Sequence, residues 1–372
     1  MKSLKGKKVL ISGASFAGLS TAFWMNKLGY HVTVVEVGNG LKKGGTPVNV
    51  RGNTVDIVKR MGLFDRIKAN RLNLETWEFK NADDVTEGAM LLRQEGEPLP
   101  DDDFEIERNV LLNMIFDAVK DEVHFIFNNR ITGLSETGDE IHVTFKDGLQ
   151  SQVDLLFGCD GIHSAVRDIW FGPESEYMHF LGQYFSITIV NKLLIKQNTA
   201  QMYNVPNKAV MLNAYNSKTD IILCFRSEKE IPYDYRNEEQ QRHIILEQFA
   251  GAGWRTAELL EEVKQSRTFY FDKLCQIKMP SWTKGRVALV GDAGYCASPA
   301  AGMGGSLAID GAAALADAFQ KHKGDFESAF QEYNKSFRPF IEEVQAEAVR
   351  VGLESLVPET EEAIRKRNLQ GF

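Results

Sequence analysis

Three glycine-rich turns in this chain carry the residue types needed to hold a phosphorylated ligand. The first is Gly13-Ala14-Ser15-Phe16-Ala17-Gly18, which follows an apolar run and opens a helix-forming stretch. A strand turning tightly into a helix aims bare backbone N–H groups at the turn, and the positive helix end favours an anion such as pyrophosphate. Gly13 permits the turn, and Gly18 lets helix and strand approach closely. Ser15 stands where the dinucleotide fingerprint has its middle glycine; its small side chain fits, and its hydroxyl is able to donate to phosphate. Glu36 closes the alternating run "HVTVVE", where an acid accepts hydrogen bonds from both ribose hydroxyls of an adenosine. A ligand-free strand–turn–helix shows the same glycines, so Glu36 is the second element that favours a nucleotide.

The second turn, "GCDGIHSAVR", sets Asp160 and Gly161 at the end of the apolar run "VDLLF". Taken alone it is an Asp-Gly turn of a common kind. The third, "VALVGDAGYCASPAAGMGG", ends a buried strand at Gly291-Asp292, and Gly302, Met303, Gly304, Gly305 and Ser306 then open a helix. Asp292 is expected outside the carboxyl end of the strands, where ligands of open α/β folds bind. The helix end stabilises negative charge of the kind a reduced flavin carries at the pyrimidine end of its ring.

These turns need a parallel sheet to hold them at one edge. "KKVLIS", a helix over 16–28 and "HVTVVE" read as a βαβ unit, and "RVALVGDA" returns to a buried strand of the same type. Between about 180 and 280 the runs "YFSITIV", "KAVMLNAY" and "DIILCFRS" alternate with turn residues, as in an antiparallel sheet. The expected class is therefore α/β. Residues 1–175 and 281–322 form a Rossmann-like lobe, 176–280 an inserted, mostly antiparallel substrate-binding sheet, and 323–372 C-terminal helices with a charged, solvent-facing or lid-like tail.

Composition bounds the function. The 372 residues carry a net charge of −8, which leaves no basic surplus for nucleic acid. Cys159, Cys224, Cys275 and Cys296 form no C-x-x-C pair and read as buried small hydrophobes, and no His spacing suits a metal. No apolar run reaches membrane-spanning length, so a cytoplasmic protein without a membrane partner is expected.

Together the three motifs resemble the group A FAD-dependent monooxygenases, the para-hydroxybenzoate hydroxylase-like family, in order and spacing across essentially the whole chain. The segments "KKGGTPVNVRG", "CFRS" and "FYFDKLCQIKMPSWTKGRVALVGDAGYCASP" are most similar to tetracycline-inactivating flavin monooxygenases. The resemblance implies FAD as cofactor, NAD(P)H as a transient co-substrate, and transfer of one oxygen from O2 to a polycyclic or phenolic substrate, in a monomer. It assigns Asp292 to the ribityl chain, Asp160 to FAD and NAD(P)H, and Arg108, from R-x-x-L with Leu111, to the cofactor. Arg51 joins the cofactor set, and Pro299 borders the flavin face. Tyr203, Met211, Phe225 and Arg226 are the expected substrate contacts, with Phe225 as wall and Arg226 as polar anchor. The chain departs from the family pattern at Met303 (usually Gln), Ser306 (Asn), Tyr295 (His) and Gly311 (Asp). Backbone contacts to the ring survive these changes. The chemistry is left to the flavin, and no general base is assigned. A hydroxylase of another aromatic metabolite and a non-catalytic flavin- or drug-binding protein are the alternatives. A single-fingerprint NAD-dependent dehydrogenase would need a Tyr-x-x-x-Lys pair, which the expected place lacks.

Overall fold

The computed structural model describes residues 6–94 and 100–371. It opens with β1 (Lys8–Ser12), α1 (Phe16–Lys27) and β2 (His31–Val35), a parallel pair joined by a helix. Then come β3 (Val48–Arg51), α2 (Asn53–Arg60), α3 (Phe64–Ala69), β4 (Thr76–Lys80), β5 (Thr86–Leu91), β6 (Asp103–Ile106) and α4 (Arg108–Asp117). Strands β7 (His124–Ile126), β8 (Ile131–Thr137), β9 (Glu140–Phe145), β10 (Gln150–Val153) and β11 (Leu155–Gly158) lead to α5 (Ala165–Trp170). The run β12 (Met178–Val190), β13 (Thr199–Val205), β14 (Lys208–Tyr215) and β15 (Lys218–Arg226) is followed by α6 (Glu238–Phe249), α7 (Thr256–Gln265) and β16 (Phe269–Ile277). Next are β17 (Thr283–Lys284), β18 (Val287–Leu289), α8 (Asp292–Tyr295) and α9 (Gly304–Lys321). The described chain closes with α10 (Phe326–Glu347), α11 (Leu353–Leu356) and α12 (Glu361–Gln370).

One sheet has the order β17-β18-β11-β1-β2-β7 and is parallel except for β17. Val9, Leu10 and Ile11 are buried, as an unbroken apolar run in a strand covered on both faces requires. On one side α1 packs against α9, and α9 against α10. Gly13, Glu36, Asp160 and Asp292 follow β1, β2, β11 and β18, so this topology gathers all four at one sheet edge.

The second sheet runs β16-β12-β15-β14-β13-β4-β5. It takes β4 and β5 from within residues 1–175, which corrects the expectation that this stretch belongs to the nucleotide lobe alone. The physical cause is the alternation in "TWEFK": Trp77 and Phe79 share a face and pair in parallel with Ala200 and Met202 of β13. Of the two expectations for the tail, the purely solvent-facing one is corrected, because α12 packs on β5 and β13. Arg367 in α12 is buried, donates to Ser355 O and Asn204 Oδ1, and lies over the Phe79 ring at 4.8 Å.

The two faces of this sheet have different partners. Tyr184, Leu212, Leu223 and Phe225 pack under α6 and α7 through Ile245, Phe249, Leu259 and Val263. The opposite face carries Phe79, Phe185, Met202 and Cys224, and it meets Ala300, Leu353 and Val357 from the third motif and the C-terminal helices. That second face looks toward the nucleotide lobe. No helix among the described residues is long and apolar enough to cross a membrane.

Candidate functional site

The first turn is built on two close approaches. Gly13 has φ +101°, and a Cβ there would stand 2.5 Å from Cys159 O. A Cβ on Gly18 would fall 1.8 Å from Gly13 O, so α1 packs onto its own turn only with glycine present. Glu36 is fixed beside this turn: one carboxylate oxygen accepts the Ala14 N–H and the other the Gly38 N–H, both at 2.8 Å.

Arg108, at the start of α4, reaches the same place. It donates to Ser15 Oγ at 3.1 Å and to Lys42 O and Gly44 O at 3.0 and 3.1 Å, with its guanidinium over the Phe16 ring. Ser15 Oγ therefore accepts from Arg108, which leaves its own O–H to donate onward. Burial lowers the Arg108 pKa and raises that of Asp292, and the attraction between the two groups opposes both shifts. Asp292 opens α8 directly after Gly291, whose added Cβ would lie 2.9 Å from the Ala17 side chain. The first and third motifs are thus in contact.

Two helix N-termini end at this group without a side-chain cap. Ser15 before α1 and Met303 before α9 make no capping bond, and neither first turn holds an acid. Orphan N–H groups at a helix start attract anions. The space is open at α9, since a Cβ at Gly302 or Gly304 would meet nothing within 4 Å. Ser306 is buried and donates to Asn49 O. Pro299 begins a short 3-10 turn, Pro299–Ala301, that leads into this helix. A cofactor with a pyrophosphate, a ribose and an anionic ring fits such a donor set, and FAD has all three.

The second motif acts as a brace. The Asp160 carboxylate accepts from Ser12 Oγ, Ser164 Oγ and Val166 N, joining the ends of β1 and β11 to α5, and burial raises its pKa. Arg167, fully buried, donates to Ala293 O at 2.9 Å and so ties this motif to the third. His163 sits between Glu174 at 3.0 Å and Asp272 at 3.3 Å, stacked on Tyr235. Burial alone would lower its pKa, but the two carboxylates outweigh it and hold the imidazole charged up to about 9. Arg51 is exposed at the end of β3, the strand whose Asn49 donates to Gly302 O and accepts from Ser306 Oγ of the third motif.

The expected substrate residues divide by strand face. Phe225 stacks on Tyr184 at 5.2 Å and meets Phe249 edge-on, and Tyr203 tilts against Trp254. Both lie on the face under α6 and α7, so the expectation of Phe225 as substrate wall and Tyr203 as a substrate contact is corrected: the pleat turns them away from the nucleotide lobe. Arg226 is on the facing side, but its guanidinium is engaged by Val357 O, Glu354 and Glu359 at 2.6, 2.6 and 2.8 Å, not left as a free polar anchor. Met211 is half-buried on the facing side, in register with Met202 and Ile222. Trp77, Ile189, Ile222 and Tyr270 share that face and were missed; Lys42 lies over the Tyr270 ring at 5.0 Å. Of these, only Ile222 could have been placed from local sequence, because the two-residue turn Asn216-Ser217 fixes the β14–β15 register; Trp77, Ile189 and Tyr270 join the face through long-range strand pairing.

A family model described as "FAD binding domain" matches residues 7–348. A flavin-dependent monooxygenase of Legionella longbeachae is 34% identical over 358 residues, covering 95% of this chain and 90% of its own. The crystal structure of tetracycline destructase Tet(51) is 33% identical with a TM-score of 0.87, over 97% of this chain and 94% of that one. Klebsiella pneumoniae HpxO, solved with FAD and uric acid, shares the fold at 20% identity and a TM-score of 0.76, over 98% of this chain and 92% of that one. The chain belongs to this FAD-binding family and is a flavoprotein monooxygenase.

Proposed function

We propose that this enzyme takes electrons from NAD(P)H and one oxygen atom from O2 and inserts that atom into a polycyclic or phenolic compound, with tetracycline-type antibiotics as the first substrates to try. The observation that carries this reading is the half-buried apolar floor formed by Trp77, Ile189, Met211 and Ile222 on the face turned toward the nucleotide lobe. A flat fused-ring molecule suits such a floor, because its apolar area is covered without stranding polar groups. The likeness to Tet(51) supports the same substrate class.

FAD, when bound, supplies electron transfer and oxygen activation. The protein supplies position and shielding. Gly13 to Gly18, with Ser15 and Arg108, take the pyrophosphate, and Glu36 takes the adenosine ribose. Asp292 holds the ribityl chain. Pro299 and the N–H groups from Gly302 to Gly305 border the ring, and the positive start of α9 favours its reduced, anionic form. Asp160, its carboxylate held by Ser12, Ser164 and the Val166 N–H, keeps the sheet edge in register beside the cofactor. The same reading makes the protein a cytoplasmic monomer.

The test is a screen of tetracyclines and simple phenols for stimulated NADPH consumption by the FAD-loaded protein, with mass spectrometry of the products. A gain of one oxygen is expected. NADPH consumption that no compound stimulates, with no mass gain, rejects the reading.

A further inference from the structure

The loop closing the third motif is strained and is held from outside the nucleotide lobe. Ser298 is buried at φ +85° and ψ 145°, a region that residues with side chains rarely adopt, and its hydroxyl accepts the Ala300 N–H. The turn Pro299–Ala301 follows, ended by Gly302 in the left-handed region. Strain of this kind persists only where the surroundings over-determine it.

The support comes from the far end of α10. There the helix widens into a π-helical turn, Ala348–Gly352, before α11 begins. Gly352 is ordinary helix at φ −59°, so conformation does not demand glycine. Contact does: a Cβ there would lie 2.3 Å from Ala300 O and 3.1 Å from its carbonyl carbon. The segment just beyond is tied to the substrate sheet. Leu353 O accepts from Gln183 at 3.0 Å, and Arg226 grips Val357 O, Glu354 and Glu359. Gln183 and Arg226 are register partners on β12 and β15.

We propose that Gly352 and Arg226 are positioning residues for the flavin. Gly352 is the bearing that holds the 298–302 loop, and Arg226 anchors that bearing to the substrate sheet, so both lobes set where the loop meets the ring. This rests on the reading that residues 299–305 border the flavin.

The test titrates FAD into the flavin-stripped protein, follows quenching of flavin fluorescence, and records the fine structure of the bound flavin's visible band. Measurements are made where circular dichroism shows the fold intact. Gly352→Ala is expected to weaken FAD binding about tenfold and to alter the band. Arg226→Met keeps the side-chain stem, removes the guanidinium and is expected to act in the same direction by about threefold; it carries the test if Gly352→Ala does not fold. Val351→Ala, in the same turn but 43% exposed, should change neither readout. Asp292→Ala separates the two readings. If it binds FAD as tightly as wild type, the site assignment falls. If it weakens binding while every folded variant at Gly352 and Arg226 matches wild type in affinity and band shape, the positioning proposal alone is overturned.

Discussion

At the scale of single residues, the site is a set of charges placed by glycines. Asp292 and Arg108 are both displaced from their ordinary pKa by burial, and each is steadied by the other. Asp292→Ala should therefore raise the FAD dissociation constant at least about tenfold; a mutant that purifies with full flavin removes the assignment. His163 gives a pH prediction. Its folded pKa, about 9, lies above the ordinary value of 6.5, so its contribution is complete below about 6.5 and drains away as pH rises through 9. Wild type should lose more stability between pH 6 and pH 9.5 than His163→Asn, read from urea midpoints. Equal losses mean that the Glu174–His163–Asp272 contact does not stabilise the fold through a charged imidazole. Such partners were invisible in the sequence: Glu174 and Asp272 reach His163 only through folding, whereas Gly13, Gly18, Glu36 and Asp292 announce themselves by local spacing.

At the scale of elements, strand parity decides what faces the ligand. Phe225 was a plausible wall by residue type, but it alternates to the helix-covered side. Phe225→Ala should cost about 3–5 kcal/mol of stability through the cavity it leaves, measured by chemical unfolding, with KM for a turned-over substrate unchanged in whatever protein stays folded. Met211→Ala, half-buried on the opposite face, should do the reverse and raise KM with little loss of stability; a KM at the wild-type level clears Met211 from the site. The βαβ start, the return strand and α9 were legible because buried parallel strands read as apolar runs and helix starts as glycines. β4 and β5 were not, because their pairing with β13 is long-range and "TEGAML" has little strand character of its own.

At the scale of the whole molecule, the proposed FAD site draws on parts of the chain that the parallel sheet gathers at one edge. Free FAD at a hundredfold excess over its dissociation constant should add about 2.7 kcal/mol to stability, seen as a concentration-dependent rise in Tm. A Tm indifferent to FAD means that the folded protein does not bind it. The long-range pairing of β4 has a consequence for biosynthesis. As the chain leaves the ribosome, the β4–β5 hairpin emerges roughly 120 residues before β13, a wait of roughly 6–24 s at about 5–20 residues per second. Its far edge waits longer still, for α12, whose Asn368 carbonyl comes to rest over Gly88. Until both arrive, Trp77 and Phe79 have no lasting cover, and the nascent hairpin offers open strand edges to its neighbours. Slow synthesis, low temperature or a chaperone that shields that hairpin should therefore govern how much active enzyme a cell recovers.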